Sequence, residues 1–144
     1  MNTENRFRPM ASIGRRRVLT LLPALLATGL GTGACAADPA DVVSLDEARS
    51  AHEAGKALLI DIREPVEHST GIAAGARLLP MRQLETRWRE VPNDPAQPVL
   101  LICNTQNRSQ ATLKALRRQG YQNVRYVNGG MAEWARRGWP MVKP

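Results

Sequence analysis

From residue 42 onward the apolar residues fall into two kinds of stretch, short continuous runs and helically spaced sets, and the two kinds take turns along the chain. Val42-Val43 reads as a short first strand. Ser44-Leu45-Asp46-Glu47 then has the form of a capping box, the glutamate reaching back to the serine, and it opens a helix that should stop near Gly55. Residues 57–62 and 76–79 read as the second and third strands, and residues 83–90 as a helix with Leu84 and Trp88 one turn apart. Pro92, Pro95 and Pro98 punctuate a loop before residues 99–103, the central strand. An amphipathic helix follows from Ser109 to a closing Gly120, then a last strand over 124–127 and a last helix over 131–137 ended by Gly138. Strands alternating with helices predict the α/β class, a mostly parallel five-stranded sheet with helices on both faces.

The first residues break this pattern. Arg15-Arg16-Arg17 precede an apolar run over residues 18–30, short for a membrane span and interrupted at Pro23 and Gly29, and small residues follow it. The expectation is a secretory signal over residues 1–36, of the twin-arginine type, ahead of a single domain over 37–144 that is exported or periplasmic in a bacterium. Gly33-Ala34-Cys35 partly matches a lipoprotein processing site, but Thr32 stands where such sites place leucine, and Ala34-Cys35-Ala36 fits ordinary cleavage after a small-x-small triplet. A soluble product is the preferred outcome, with membrane attachment only if Cys35 is lipidated.

Charge changes the picture once the leader is set aside. The chain of 144 residues carries a formal +7, but five arginines and one glutamate lie in residues 1–36, leaving 15 basic and 12 acidic residues, +3, in the remaining 108. A mildly basic domain draws small anions, whereas the interleaved basic and aromatic stripe of a nucleic-acid binder is missing, so no nucleic-acid partner is expected. The 108 residues suffice for one compact core. Of the two cysteines, Cys35 and Cys103, only the second is free to react in the mature domain in either processing outcome, so an intramolecular disulfide is excluded.

The chemistry concentrates where the strand Val99-Leu100-Leu101-Ile102 meets Cys103-Asn104-Thr105-Gln106-Asn107-Arg108-Ser109. A cysteine at a strand's carboxyl end, followed at once by polar residues opening a helix, sits where open α/β sheets collect ligands, and loop amides with a helix N-terminus favour an anion there. A thiolate is such an anion, and Arg108, five positions on, adds a charge that favours it over the thiol. A cysteine serving only as a small core residue needs no such loop.

These residues resemble the active-site loop of the rhodanese family of sulfurtransferases. Leu58-Leu59-Ile60-Asp61-Ile62-Arg63-Glu64-Pro65 with Glu67 resembles the family's second-strand signature, Gly75-Ala76 with Pro80 its next segment, and Val127-Asn128-Gly129-Gly130, Trp134 and Gly138-Trp139-Pro140 its closing pattern. The resemblance implies a rhodanese-like three-layer fold and a sulfurtransferase carrying a Cys103 persulfide, with Asn104, Thr105, Gln106, Asn107, Arg108 and Ser109 binding the substrate sulfur. Asp61 and Arg63 are implied to brace the cysteine loop by charge-assisted hydrogen bonds. The implied partners are a small anionic sulfur donor such as thiosulfate or a persulfide, a thiol or cyanide acceptor, and a sulfur-accepting protein, with no cofactor and no metal. Three positions depart from the family pattern: Ile72 replaces a histidine, Asn104 a basic residue and Gln106 a glycine.

Other residues read as structural. His52 falls on a polar helix face and His68 in a polar loop, so both should be solvated; Trp88, Trp134 and Trp139 should pack in or around the core. Arg117-Arg118 and Arg136-Arg137 suit helix C-termini. Two alternatives to a sulfurtransferase stand beside it. One is a sulfur-carrier module serving a partner protein; the other is a cysteine-loop phosphatase or arsenate reductase, for which the four residues between Cys103 and Arg108 are one too few.

Overall fold

The computed structural model describes residues 38–144, so the leader expected over residues 1–36, with Cys35, lies outside the described residues. Ten regular elements succeed one another: β1 (Val42–Val43), α1 (Leu45–Glu53), β2 (Leu58–Asp61), α2 (Pro65–His68), β3 (Arg77–Leu78), α3 (Leu84–Arg87), β4 (Val99–Ile102), α4 (Asn107–Arg118), β5 (Val124–Val127) and α5 (Gly130–Arg136); nine follow the expected order, and the short α2 stands where a polar loop was expected. The five strands form one sheet in the order β1-β5-β4-β2-β3, every neighbouring pair parallel. Asp61 lies opposite Ile102 in the β2–β4 register, which brings the ends of these two strands level.

All four residues of β4 are buried, as a strand covered on both faces requires. Alternate side chains divide between two cores. Val99, Leu101 and Cys103 pack with Leu84 of α3, Leu113 and Leu116 of α4, and Tyr121; Leu100 and Ile102 pack with Leu45 and Ala48 of α1 and Met131 and Trp134 of α5. The period of two therefore turns Cys103 toward the α4 side. From β4 the chain proceeds to β5 on one side, and from β2 to β3 on the other. The loops leaving these adjacent strands diverge, opening a crevice at their carboxyl ends.

Local chemistry sets the element ends. The capping box of α1 forms as expected, Glu47 N–H donating to Ser44 Oγ at 3.3 Å and Ser44 N–H to Glu47 Oε2 at 3.1 Å. The helix expected over 83–90 is instead three short pieces, a 3₁₀ turn at Met81–Gln83, α3, and a second 3₁₀ turn at Trp88–Glu90. The cause lies at its end. The Trp88 carbonyl accepts from Tyr121 Oη at 3.1 Å and from Val91 N–H at 3.0 Å, while Pro92, four residues on, has no N–H to continue an α-helix. Helix α4 begins at Asn107, two residues before the expected start, so Arg108 and Ser109 belong to its first turn.

Tryptophans pack as expected. Trp134 is buried, meets Trp139 edge to face at 5.0 Å, and donates Nε1–H to the Pro140 carbonyl. Near the helix C-termini, Arg117 pairs with Asp41 from α4, and Arg137 with Asp46 and Glu133 from α5.

Candidate active site

Cys103 is the first residue beyond β4 and is 1% exposed. Its sulfur lies 3.5 Å from Ser109 Oγ, itself buried and donating to the Gln106 carbonyl at 3.0 Å. Asn104, Thr105 and Asn107 are exposed around it, with Gln106 and Arg108 half-buried. Residues 103–109 thus stand together as a loop closed over the thiol.

The loop's carbonyls and amides are treated differently. The Cys103 carbonyl accepts from Met131 N–H and the Asn104 carbonyl from Ala132 N–H, each at 2.8 Å, so the start of α5 holds them. Gly130 makes this approach possible. A Cβ there would lie 2.5 Å from the Cys103 carbonyl oxygen, 2.6 Å from that of Asn104 and nearer still to that of Thr105, and its φ is +61°. Only glycine combines that backbone angle with that contact. Conversely, among the described residues no protein acceptor takes a hydrogen bond from the amides of residues 104–109, and the Gln106 side chain does not cap α4. Amides left unspent at a loop and helix start form an anion-binding concavity. Gln106 takes φ −147°, outside the left-handed region, so its backbone angle does not require the missing glycine.

Arg108 does not face the cysteine alone. Its guanidinium donates to both oxygens of the Glu67 carboxylate, NH1 to Oε2 and NH2 to Oε1, each at 2.6 Å. This fork-to-fork pair bridges α4 to α2 across the crevice. It holds the Glu67 carboxyl down to about 2 and raises Arg108, the Cys103 thiolate adding a smaller share to the latter. The expectation that Arg108 acts on the thiol as a free charge is corrected accordingly. Glu67 was legible only as part of a signature, although Glu64-Pro65-Val66-Glu67 carries the capping-box spacing that fixes it.

Asp61 and Arg63 also differ from expectation. Both are buried, at 0% and 4% exposure, and Arg63 forks onto Asp61 with NH2 to Oδ2 at 2.7 Å and Nε to both oxygens. The remaining guanidinium contacts go to the carbonyls of Gly71 at 2.8 Å and Glu67 at 3.3 Å. They brace the segment after β2 that carries Glu67, not the cysteine loop. Bracing reaches Cys103 only through Glu67 and Arg108.

His68 is not solvated. It is 3% exposed, with Nε2 lying 3.5 Å from Asp61 Oδ1 and making no hydrogen bond. Its polar sequence neighbours hid this, because Ser69 and Thr70 face outward while the last residue of α2 turns inward. His52 is half-buried, its Nε2 2.8 Å from the Ala74 carbonyl.

Comparison with known proteins agrees with this architecture. A sulfurtransferase of Allochromatium vinosum is 39% identical over 87 residues, spanning 60% of this chain and 79% of that protein. The crystal structure of a rhodanese-related protein from Thermoplasma volcanium aligns at TM-score 0.63 and 27% identity, over 72% of this chain and 98% of that one. A human single-domain sulfurtransferase aligns at TM-score 0.56 and 27% identity, over 67% and 96% respectively. Residues 44–137 match the rhodanese-like domain family, and with the parallel sheet and the loop closed over Cys103 this shows that the chain belongs to that family.

Proposed function

We propose that the protein is a sulfurtransferase that carries a sulfane sulfur as a persulfide on Cys103, taking it from thiosulfate or a persulfide and passing it to a thiol or to cyanide. The observation that carries this reading is the set of unspent amides over residues 104–109, in the loop that directly follows the only free cysteine among the described residues. In the first half-reaction the Cys103 thiolate forms a bond to the donor's outer sulfur. The donor's S–S bond breaks, and its electron pair leaves with sulfite or a thiolate. The terminal sulfur left on Cys103 is anionic, and the unspent amides of the loop that follows are the donors available to stabilise it. An acceptor nucleophile then takes that sulfur and returns Cys103 as thiolate.

Membership of the family supports the reading, and the salt bridge weighs against a phosphatase. A phosphatase arginine must clamp a tetrahedral oxyanion, whereas Arg108 has Glu67 on both terminal nitrogens. The test is thiosulfate:cyanide activity together with intact mass. Wild type should gain one sulfur atom on donor treatment, whereas Cys103→Ser should gain none and lose turnover, because a hydroxyl without a neighbouring base is a poor nucleophile. A persulfide on the serine variant would exclude the assignment.

We further propose that residues 1–36 direct export by the twin-arginine route, on the strength of Arg15-Arg16-Arg17 before the apolar run. Arg15→Lys with Arg16→Lys should leave the precursor in the cytoplasm; undiminished export would point to the general secretory route.

A further inference from the structure

Arg108 is the one cationic side chain of the loop, since residues 104–107 and Ser109 are neutral. Its charge is matched by Glu67, and that carboxylate is not free to leave. Glu67 Oε2 also accepts from the Glu64 amide at 3.0 Å, and the Glu67 amide donates to the Glu64 carbonyl at 2.8 Å. The Glu67 carbonyl accepts from Arg63, which is tied to Asp61 and Gly71. A pair preorganised from both sides presents an incoming anion with no net side-chain charge from the loop. It also sets a carboxylate beside the loop's one cation, and its repulsion of a donor grows with the negative charge that the donor carries.

From this geometry we infer that Glu67 is the specificity-determining residue of the site, holding Arg108 back from the donor so that Cys103 draws sulfur from persulfides in preference to thiosulfate. The inference rests on the sulfurtransferase reading above. The two donors differ in the charge they bring. Thiosulfate brings two negative charges to a thiolate, and the same two depart on sulfite when the S–S bond breaks. A persulfide attacked at its terminal S–H sulfur brings none at its reacting end. The new S–S bond forms on Cys103, the electron pair of the broken bond leaves on the inner sulfur, and the proton passes from the transferred sulfur to that more basic thiolate, leaving the Cys103 persulfide anionic. The amide dipoles suffice for the second case; the first calls for the guanidinium that Glu67 occupies.

Glu67→Gln keeps the side-chain length and an acceptor for the Glu64 amide but removes the charge that holds Arg108. The experiment compares kcat/KM for thiosulfate and for glutathione persulfide, with cyanide as the common acceptor. In Glu67→Gln the thiosulfate KM should fall and the thiosulfate-to-persulfide ratio should rise about tenfold, the size expected of one partly screened charge released near an anion. In Glu67→Gln with Arg108→Gln the ratio should return to that of wild type. Glu67→Ala frees the same guanidinium and serves if the glutamine variant does not fold. An unchanged or lower ratio in the single variants, or a raised ratio that survives the loss of Arg108, overturns the inference. If neither donor leaves sulfur on wild-type Cys103, the sulfurtransferase reading falls and the inference with it.

Discussion

The Asp61–Arg63 pair lies at the root of the crevice, and its burial makes it sensitive to the loss of either partner. Two charges taken out of water are tolerated only because each is matched and hydrogen-bonded. Arg63→Ala leaves the Asp61 carboxylate buried with no counter-charge and frees the carbonyls of Gly71 and Glu67. The expected cost is about 3–5 kcal/mol of stability, measured by urea unfolding. A loss no larger than that of a surface arginine would mean that the pair does not hold the root of the crevice together.

Among the elements, the contact of α5 with the cysteine loop is the most exacting. Helix α5 is only seven residues long, yet its first amides hold the carbonyls of Cys103 and Asn104. Gly130→Ala adds a Cβ against backbone oxygens, which cannot rotate away as a flexible side chain would. The loop must move outward, and the left-handed angle alone costs an alanine about 1–2 kcal/mol. Sulfur transfer should fall at least about tenfold while the sheet survives, because displaced amides no longer converge on one sulfur. Activity, persulfide mass and far-ultraviolet circular dichroism measured together check this; full activity in the alanine variant would mean that the loop's position is not critical.

At the scale of the whole molecule, the bridge between α2 and α4 links the two diverging loops and contributes a stability that acid removes. The Glu67 carboxyl, lowered by Arg108 from 4.5 to about 2, binds its proton far more readily in the unfolded chain. Stability from this group is present above pH 4.5 and is lost as pH falls toward 2, since protons are then taken up on unfolding. Glu133, lowered to about 2 by Arg136 and Arg137, acts in the same window, but on an open surface where salt screens it. Unfolding midpoints between pH 5 and 2 should therefore decline less steeply in Glu67→Gln than in wild type. Parallel curves would show that the bridge adds nothing to folding.

Most of the elements and the place of the candidate nucleophile were legible in the sequence because both are local. Alternating apolar periods specify strands and helices, a capping box announces α1, and a cysteine between an apolar run and a polar helix start marks itself. What the sequence left open is contact between residues far apart in the chain. Glu67 and Arg108 are 41 positions apart, and their pairing depends on β2 and β4 lying side by side so that their loops leave the sheet level and face one another. Burial of His68 depends likewise on the turn of α2 over the end of β2, which its polar neighbours do not encode. Gly130 was visible as half of a glycine pair, but its reason, three backbone oxygens against its missing side chain, exists only once α5 has folded back onto β4. Period and capping act within a few residues, so the sequence by itself determined the order of the strands and longer helices and where the thiol stands among them. Charge pairing and close approach act across the sheet, so only the tertiary structure decided which charges face that thiol and which backbone may touch its loop.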